Sequence, residues 1–143
     1  MKLEENVDII PHYITFPIFD VPQEKPVDNC YYNGVYCADP DYRLTSDGRV
    51  ILQENLRQKC IYFNSYDKND KNKITNKMQY WDYMDNFYED CFKPSLLDNS
   101  STGSKFNSEC SRRVMSKTGI DIPTINSCIV KSFNTSIIIF III

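Results

Sequence analysis

Six cysteines constrain this chain more than any other feature, because their spacing separates a metal site from a redox motif and from structural disulfides. None stands in a CxxC pair, the spacing typical of zinc sites and of thiol–disulfide oxidoreductases. The one histidine, His12, is far from them in sequence, so we predict neither a metal site nor a cofactor. An even number is typical of three disulfides in an oxidising compartment, and six reduced thiols in a cytosolic domain are the alternative. The cysteines are Cys30, Cys37, Cys60, Cys91, Cys110 and Cys128.

The charge balance excludes one class of partner. The 143 residues hold 16 Lys and Arg against 19 Asp and Glu, a net charge of −3, so we expect no nucleic acid partner. Acidic residues at the start interrupt any apolar signal-peptide core, and no signal peptide is visible. Sequons at Asn99 and Asn134 nevertheless predict glycosylation in a lumenal compartment. We therefore expect a piece of a longer secretory-pathway precursor.

Hydrophobic periodicity predicts one strand followed by a helix. Residues 13–16 are β-branched and aromatic between prolines, which predicts a short strand. Residues 20–49 are rich in breakers and predict an irregular segment. From Val50 the apolar residues recur every three or four positions, which predicts a helix with Asp47 as its N-cap. Its buried stripe is expected to hold Leu52, Leu56, Cys60 and Phe63.

The second predicted helix is unusually aromatic. The polar stretch 64–77 precedes it and predicts an exposed loop. Residues 80–91 then place apolar side chains on one helical face, which is more often core packing than a cofactor site. The residues of that face are Tyr80, Met84, Phe87 and Cys91.

Two more helices follow. Residues 107–118 predict a helix with Asn107 or Ser108 as its N-cap and Gly119 at its end. Residues 121–128 predict a short fourth helix with proline in its first turn. The later cysteines therefore lie within the predicted helices of a small helical bundle.

Six blocks of the chain, in order, resemble the vacuolar sorting receptors. The blocks are PHYIT (11–15), CYYNGVYCADP (30–40), ENLRQKCIY (54–62), YWDY (80–83), NSEC (107–110) and TGID (118–121). In that family the matching region lies in the lumenal part of a type I membrane receptor and is related to thioredoxin. The resemblance implies an α+β fold, a partial thioredoxin-like framework dominated by a disulfide-stapled helical insertion. It divides the chain into a tail (1–10), the receptor-like region (11–130) and an apolar tail (131–143).

The function that the resemblance implies is binding without catalysis. Family members bind soluble vacuolar cargo through sorting-signal peptides in the Golgi, endosome and vacuole lumen. Membrane association would require a span in the full-length protein. The Cys-Pro pair that members carry after the strand is absent here, as is a second Cys shortly before the block matching Cys30, which together suggest the loss of one disulfide and of a possible nucleophile.

No single residue is assigned to cargo from the sequence. Exposed aromatic and acidic side chains around Tyr31, Tyr32, Tyr36 and residues 80–88 are the candidates, although such rings more often pack in a core. The alternative function is a thioredoxin-fold thiol–disulfide oxidoreductase of the secretory pathway, with Cys30 and Cys37 as its nearest reactive pair. A third hypothesis is a secreted domain that disulfides stabilise and that has no receptor role.

Six cysteines allow fifteen pairings, and the sequence leaves all of them open. A Cys30–Cys37 bridge would staple the irregular segment, and a Cys91–Cys110 bridge would close a helical hairpin. Cys60 would then pair with Cys128, and this is the arrangement that we favour.

Overall fold

The residues that the structure describes are mostly helical, with one small sheet. The computed structural model describes residues 11–13, 29–31, 36–38, 47–65, 73–94 and 106–134. In chain order the elements are β1 (Cys30–Tyr31), β2 (Tyr36–Cys37), α1 (Gly48–Ser65), α2 (Lys73–Phe87), a π-helical turn π1 (Tyr88–Phe92), α3 (Ser108–Lys117) and α4 (Ile122–Asn134). Among the described helices, none has both the length and the apolar character that crossing a membrane requires. The α+β class predicted from the sequence is confirmed.

The two short strands form an antiparallel pair that a disulfide closes. Cys30 lies opposite Cys37 and Tyr31 opposite Tyr36. The Cα atoms of the two cysteines are 4.1 Å apart. So short a separation is typical of an antiparallel pair whose two residues do not hydrogen-bond to each other through their backbones. The neighbouring Ala38 N–H donates to the carbonyl of Asn29 at 3.2 Å and extends the ladder by one pair.

The N-terminus of α1 rests on this strand pair. The Gly48 N–H donates to Oδ1 of Asn29 at 2.8 Å, and the Arg49 N–H donates to Oδ1 of Asp47 at 2.9 Å. Asp47 is therefore the N-cap, as the sequence predicts, although the helix begins two residues before Val50. A Cβ atom on Gly48 would lie 2.1 Å from the carbonyl oxygen of Ala38, so only glycine fits at this contact.

The core lies where α1, α2, α3 and α4 meet. The Tyr62 and Tyr80 rings pack edge to face at 5.4 Å between centroids, and Phe87 meets Phe106 in the same way at 5.5 Å. These arrangements suit the ring quadrupoles and bury large apolar areas. The aromatic helix predicted from the sequence is therefore a core element. The fully buried side chains around these rings include Ile61, Tyr83, Val114, Met115 and Ile125.

All six cysteines are joined in disulfides, and two of the bridges tie helices together. Cys60 of α1 bonds Cys128 of α4, and Cys91 of π1 bonds Cys110 of α3. The third bridge is the one between the strands. This is the pairing that the spacing favoured. Closing a loop of 68 residues stabilises the fold by about 4 kcal/mol on the chain-entropy model, more than either shorter loop.

The structure corrects several expectations about the helices. Phe63 was predicted to be buried but is 50% exposed. The last turn of α1 faces the core with Ile61 and Tyr62 instead. The loop predicted over 64–77 is shorter, since α1 continues through Ser65 and α2 begins at Lys73. Lys73 and Lys77 are good helix formers, and this first turn of α2 continues into the apolar, periodic part of the helix.

The last helix is longer than predicted and runs to Asn134, so it enters the segment taken as the C-terminal tail. By contrast, α3 has the predicted bounds within one residue. Its N-cap Asn107 accepts a hydrogen bond from the Cys110 N–H, and Gly119 adopts a φ of 70° at its end. Most of the predicted strand 13–16 lies outside the described residues.

Candidate functional site

The thiols predicted as an alternative redox pair lie in an unsuitable place. Cys30 and Cys37 stand on paired strands and are 8% and 0% exposed. A reactive thiolate needs solvent access and a positive environment such as a helix N-terminus. Within the described ranges no group of His, Cys, Asp and Glu side chains is arranged to hold a metal ion. The geometry thus favours a structural role for these cysteines.

A polar cluster lies inside the helical core, centred on Glu54, which is 2% exposed. Its Oε1 accepts hydrogen bonds from the Tyr83 hydroxyl at 2.8 Å and from Nε2 of Gln58 at 3.1 Å. Its Oε2 accepts from the Ser111 hydroxyl at 2.7 Å and forms an ion pair with Arg57. The buried carboxylate is thereby fully hydrogen-bonded, which such a charge requires. The cluster joins α1, α2 and α3.

One buried and one half-buried tyrosine, Tyr83 and Tyr13, border this cluster. Burial raises the pKa of the Tyr83 hydroxyl well above its ordinary value, and the negative charge of Glu54 raises it further. Burial also raises the pKa of Tyr13, with Tyr80 adding to the effect. The Tyr13 hydroxyl donates to Oε1 of Gln58 at 2.7 Å, so the short segment around Tyr13 is anchored to α1. Both phenols are therefore neutral hydrogen-bond donors at physiological pH.

Arg57 connects the cluster to a surface cleft. Its Nη1 donates to the Ser111 hydroxyl at 3.1 Å and its Nη2 to the Ser108 hydroxyl at 3.3 Å. Its Nε is buried and has no hydrogen-bond partner in the part of the chain that the structure describes. The cleft has a volume of about 310 Å³ and lies between α3 and α4. Its lining residues are Arg57, Ser108, Glu109, Arg112, Met115, Ile122 and Asn126.

The outer side of α2 and π1 presents aromatic and acidic side chains to solvent. Trp81 is 38% exposed and Tyr88 is 50% exposed, two helical turns further along. At 100° per residue the exposed residues of this side fall within about 120° of the helix circumference. We call this surface the acidic-aromatic face, and its residues are Met78, Trp81, Asp82, Asp85, Tyr88 and Glu89.

The acidic side chains of this face differ in their partners. The Glu89 carboxylate accepts from Nζ of Lys93 at 2.8 Å in an exposed ion pair. Asp82 and Asp85 form no ion pair with another described residue. Two carboxylates beside exposed rings are therefore available to a cationic partner.

The other predicted binding residues are less exposed or lie elsewhere. Tyr31 and Tyr36 are half-buried, and the Tyr31 hydroxyl accepts from Nε2 of Gln53 at 2.6 Å, so Tyr31 packs on α1. Tyr32 and the predicted glycosylation residue Asn99 lie outside the described residues. Asn134 ends α4, and its side chain is not described.

The hydrophobic periodicity of α1 does not reveal the polar cluster, although the sequence carries a signal for it. Glu54, Arg57 and Gln58 stand at i, i+3 and i+4, the spacing at which helical side chains meet. The same spacing is common on solvated helix faces, so it does not reveal burial. Ser111 and Tyr83 reach Glu54 only through tertiary packing.

A family model and individual relatives both match this chain, and they point to the same family. The family model described as the vacuolar sorting receptor thioredoxin-like domain matches residues 1–138. Vacuolar-sorting receptor 6 of Arabidopsis thaliana is 32% identical over 124 residues, which are 83% of this chain and 17% of that receptor. Vacuolar-sorting receptor 1 of Pisum sativum is 31% identical over 123 residues, 82% of this chain and 18% of the relative.

The chain therefore spans less than a fifth of the length of these relatives. Its helices, two-stranded sheet and three disulfides fit an α+β thioredoxin-like domain with a helical insertion. The relatives are named as sorting receptors rather than as enzymes. By family model and by sequence identity, this chain belongs to the vacuolar sorting receptor family, in its thioredoxin-like domain.

Proposed function

We propose that this chain is a non-catalytic, cargo-binding domain in the secretory-pathway lumen, and that it binds soluble vacuolar cargo through sorting-signal peptides. The proposal extends the resemblance to sorting receptors to this domain. The observation that carries it is the acidic-aromatic face of α2 and π1. Trp and Tyr are among the residue types that dominate binding hot spots, and here they stand exposed on one face of the helix.

The chemistry of this face indicates the kind of peptide that fits. Trp81 and Tyr88 offer rigid apolar surface, and such rings are typical binding hot spots. Asp82 and Asp85 add negative charge beside the rings. A cargo segment that combines an apolar side chain with a basic one would bury its apolar group on the rings and pair its charge with the carboxylates.

A binding measurement with matched variants tests this proposal. The probe is a fluorescent peptide covering the sorting signal of a soluble vacuolar protein, titrated with the wild-type chain. In the double variant Trp81→Ala and Tyr88→Ala, we expect affinity to fall about tenfold or more, since hot-spot truncations cost over 1 kcal/mol each. The control is Phe63→Ala, which removes an equally exposed ring from α1 and should leave affinity unchanged.

Equal affinities in the double variant and in the wild type would contradict the proposed site. The face would then be a packing surface for another part of the receptor. Adding salt should weaken binding to the wild type more than to the variant Asp82→Asn with Asp85→Asn, because surface charge pairs are screened.

The alternative, a thiol–disulfide oxidoreductase, has less support. Five of the six cysteines are buried and all are bonded, so no described thiol is free to attack. An insulin-reduction assay separates the two functions, and we expect no turnover. Turnover that Cys37→Ser abolishes would contradict a binding-only domain.

Lumenal residence and glycosylation are also part of the proposal. We expect intact-mass measurement under non-reducing conditions to give three disulfides, and expression in a secretory host to give glycan mass that Asn99→Gln and Asn134→Gln remove. Six alkylatable thiols in the native protein would overturn the lumenal assignment.

A further inference from the structure

The cleft between α3 and α4 has the chemistry of an anion site. Its deepest polar group is the Arg57 guanidinium, whose residue is 7% exposed. Ser108 and Arg112 stand on one side of α3, four residues apart, and Asn126 faces them from α4. The lining also includes the partly exposed Ile122, which gives the cleft a small apolar part, with the buried Met115 beneath it.

The hydrogen bonds of Arg57 leave part of its donor capacity unused. Its Nη1 is committed to Glu54 and Ser111 inside the core, and its Nη2 makes one bond, to Ser108. The Nε–H has no acceptor in the described part of the chain, although it is buried. A buried donor without an acceptor costs free energy, so a ligand that supplies the acceptor would gain affinity.

The exposed residues of the cleft are also without ion-pair partners. Arg112 and Asn126 are exposed, and neither forms a hydrogen bond or an ion pair with a described residue. An arginine fork binds a carboxylate through two parallel hydrogen bonds, and the Nε–H and one Nη2–H of Arg57 lie along one such edge. The cleft thus offers cationic and neutral donors to a single planar anion.

We infer that this cleft binds a carboxylate side chain, glutamate or aspartate, of an acidic peptide segment flanked by aliphatic residues. The carboxylate reaches Arg57 and Arg112, Asn126 bonds the peptide backbone, and an aliphatic flank covers Ile122. A free small carboxylate would leave that apolar part uncovered, which favours a peptide. This site is separate from the acidic-aromatic face and does not depend on cargo binding there.

Titration of the ¹⁵N-labelled 143-residue chain, followed by NMR, tests the site. The probes are acetyl-Leu-Glu-Leu-amide, the matching glutamine peptide, and sodium acetate. We expect the glutamate peptide to shift the Asn126 side-chain amide signals. Its affinity should exceed that of the glutamine peptide by roughly tenfold, the size of one charge-assisted hydrogen bond. It should also exceed the affinity of acetate, because acetate lacks the aliphatic flanks that contact Ile122.

Adjacent arginines of α3 provide matched variants that leave the core intact. Arg112→Gln should reduce the preference for glutamate, because one of the two arginines that reach the carboxylate is lost. Arg113→Gln should leave the preference unchanged, because Arg113 is exposed but does not line the cleft. Removing the acidic lining residue with Glu109→Gln should raise affinity for the glutamate peptide.

Three results would overturn the inference. Equal affinity for the glutamate and glutamine peptides would exclude a carboxylate site, and equal losses in Arg112→Gln and Arg113→Gln would indicate unspecific attraction. Acetate binding as tightly as the peptide would assign the cleft to a small free anion. None of these results bears on the Trp81 and Tyr88 measurement, so the two proposals fail independently.

Discussion

The two sides of helix α2 differ in the surroundings of their polar groups, which are buried and hydrogen-bonded on one side and exposed to solvent on the other. On the inner side, the Tyr83 hydroxyl donates to the buried carboxylate of Glu54, and Arg57 balances that charge. On the outer side, Asp82 and Asp85 lie in solvent beside exposed rings. Buried polar groups must find partners within the protein, whereas exposed ones remain available to bind another molecule. The inner side therefore determines stability, and the outer side is available for binding.

The largest expected effect is on the inner side. Glu54→Gln keeps the shape of the side chain but leaves Arg57 buried without a counter-charge. We expect the free energy of unfolding to fall by about 3–5 kcal/mol, as when one partner of a buried ion pair is removed. Guanidinium unfolding followed by far-UV circular dichroism, with the disulfides intact, measures this. A loss below 1 kcal/mol would show that water reaches the pair.

Removing a single hydroxyl compares the two sides directly. Tyr83→Phe takes one hydrogen bond from Glu54 and should cost about 1–3 kcal/mol, because a buried charged acceptor loses its donor. Tyr88→Phe makes the same change on the exposed side and should shift stability by less than about 0.5 kcal/mol. Equal costs in the two unfolding curves would contradict the distinction between the sides.

Alkaline pH should lower the free energy of unfolding through Tyr83, on the inner side of α2. The folded pKa of Tyr83 is raised, so its contribution to stability is full below the unfolded pKa of about 10 and is lost as pH rises above it. We expect this group to lower the free energy of unfolding by about 1.4 kcal/mol in total between pH 9 and pH 11, because its slope reaches about 1.4 kcal/mol per pH unit only well above pH 10. Tyr13 acts in the same direction. Unfolding curves between pH 9 and 11, about the range in which a free phenol titrates, measure the slope. An unchanged slope in Tyr83→Phe would contradict the assignment to Tyr83.

The smallest effect is expected from the exposed ion pair. Glu89 and Lys93 are 57% and 48% exposed, and water and salt screen their attraction. Glu89→Gln should therefore change stability by less than about 0.5 kcal/mol. The same chemical substitution thus serves as the control for Glu54→Gln, and a loss of similar size at both positions would mean that the unfolding assay does not distinguish buried from exposed charge.

Features set by local chemistry were predictable from the sequence. The N-caps Asp47 and Asn107 bond backbone groups two and three residues ahead, and Gly119 ends α3 through its own left-handed φ. The receptor-like blocks indicated the family without any structure. The favoured pairing of cysteines also follows chain order, since two of the three bridges join neighbouring segments.

Features that depend on distant contacts were not predictable. The prediction that Phe63 is buried was wrong, because periodicity identifies an apolar stripe along a helix but not which other helices cover each part of it. The α3–α4 cleft needs Arg57 to meet residues more than 50 positions later. Along α2 the predicted face correctly buried Tyr80 and Phe87, but it left out Tyr83, which is fully buried through its contact with Glu54.

By itself the sequence determined the helices, their caps, an even set of disulfide-forming cysteines and the family, because each depends on spacing along the chain. Only the tertiary structure decided that Glu54 is buried and that Trp81 and Tyr88 are not. The reason is physical: Glu54 and Ser111 are 57 positions apart, and whether a polar side chain meets water or a partner depends on which helices pack around it. Residues 80–88 were therefore binding candidates from the sequence alone, whereas the α3–α4 cleft became visible only in the folded chain.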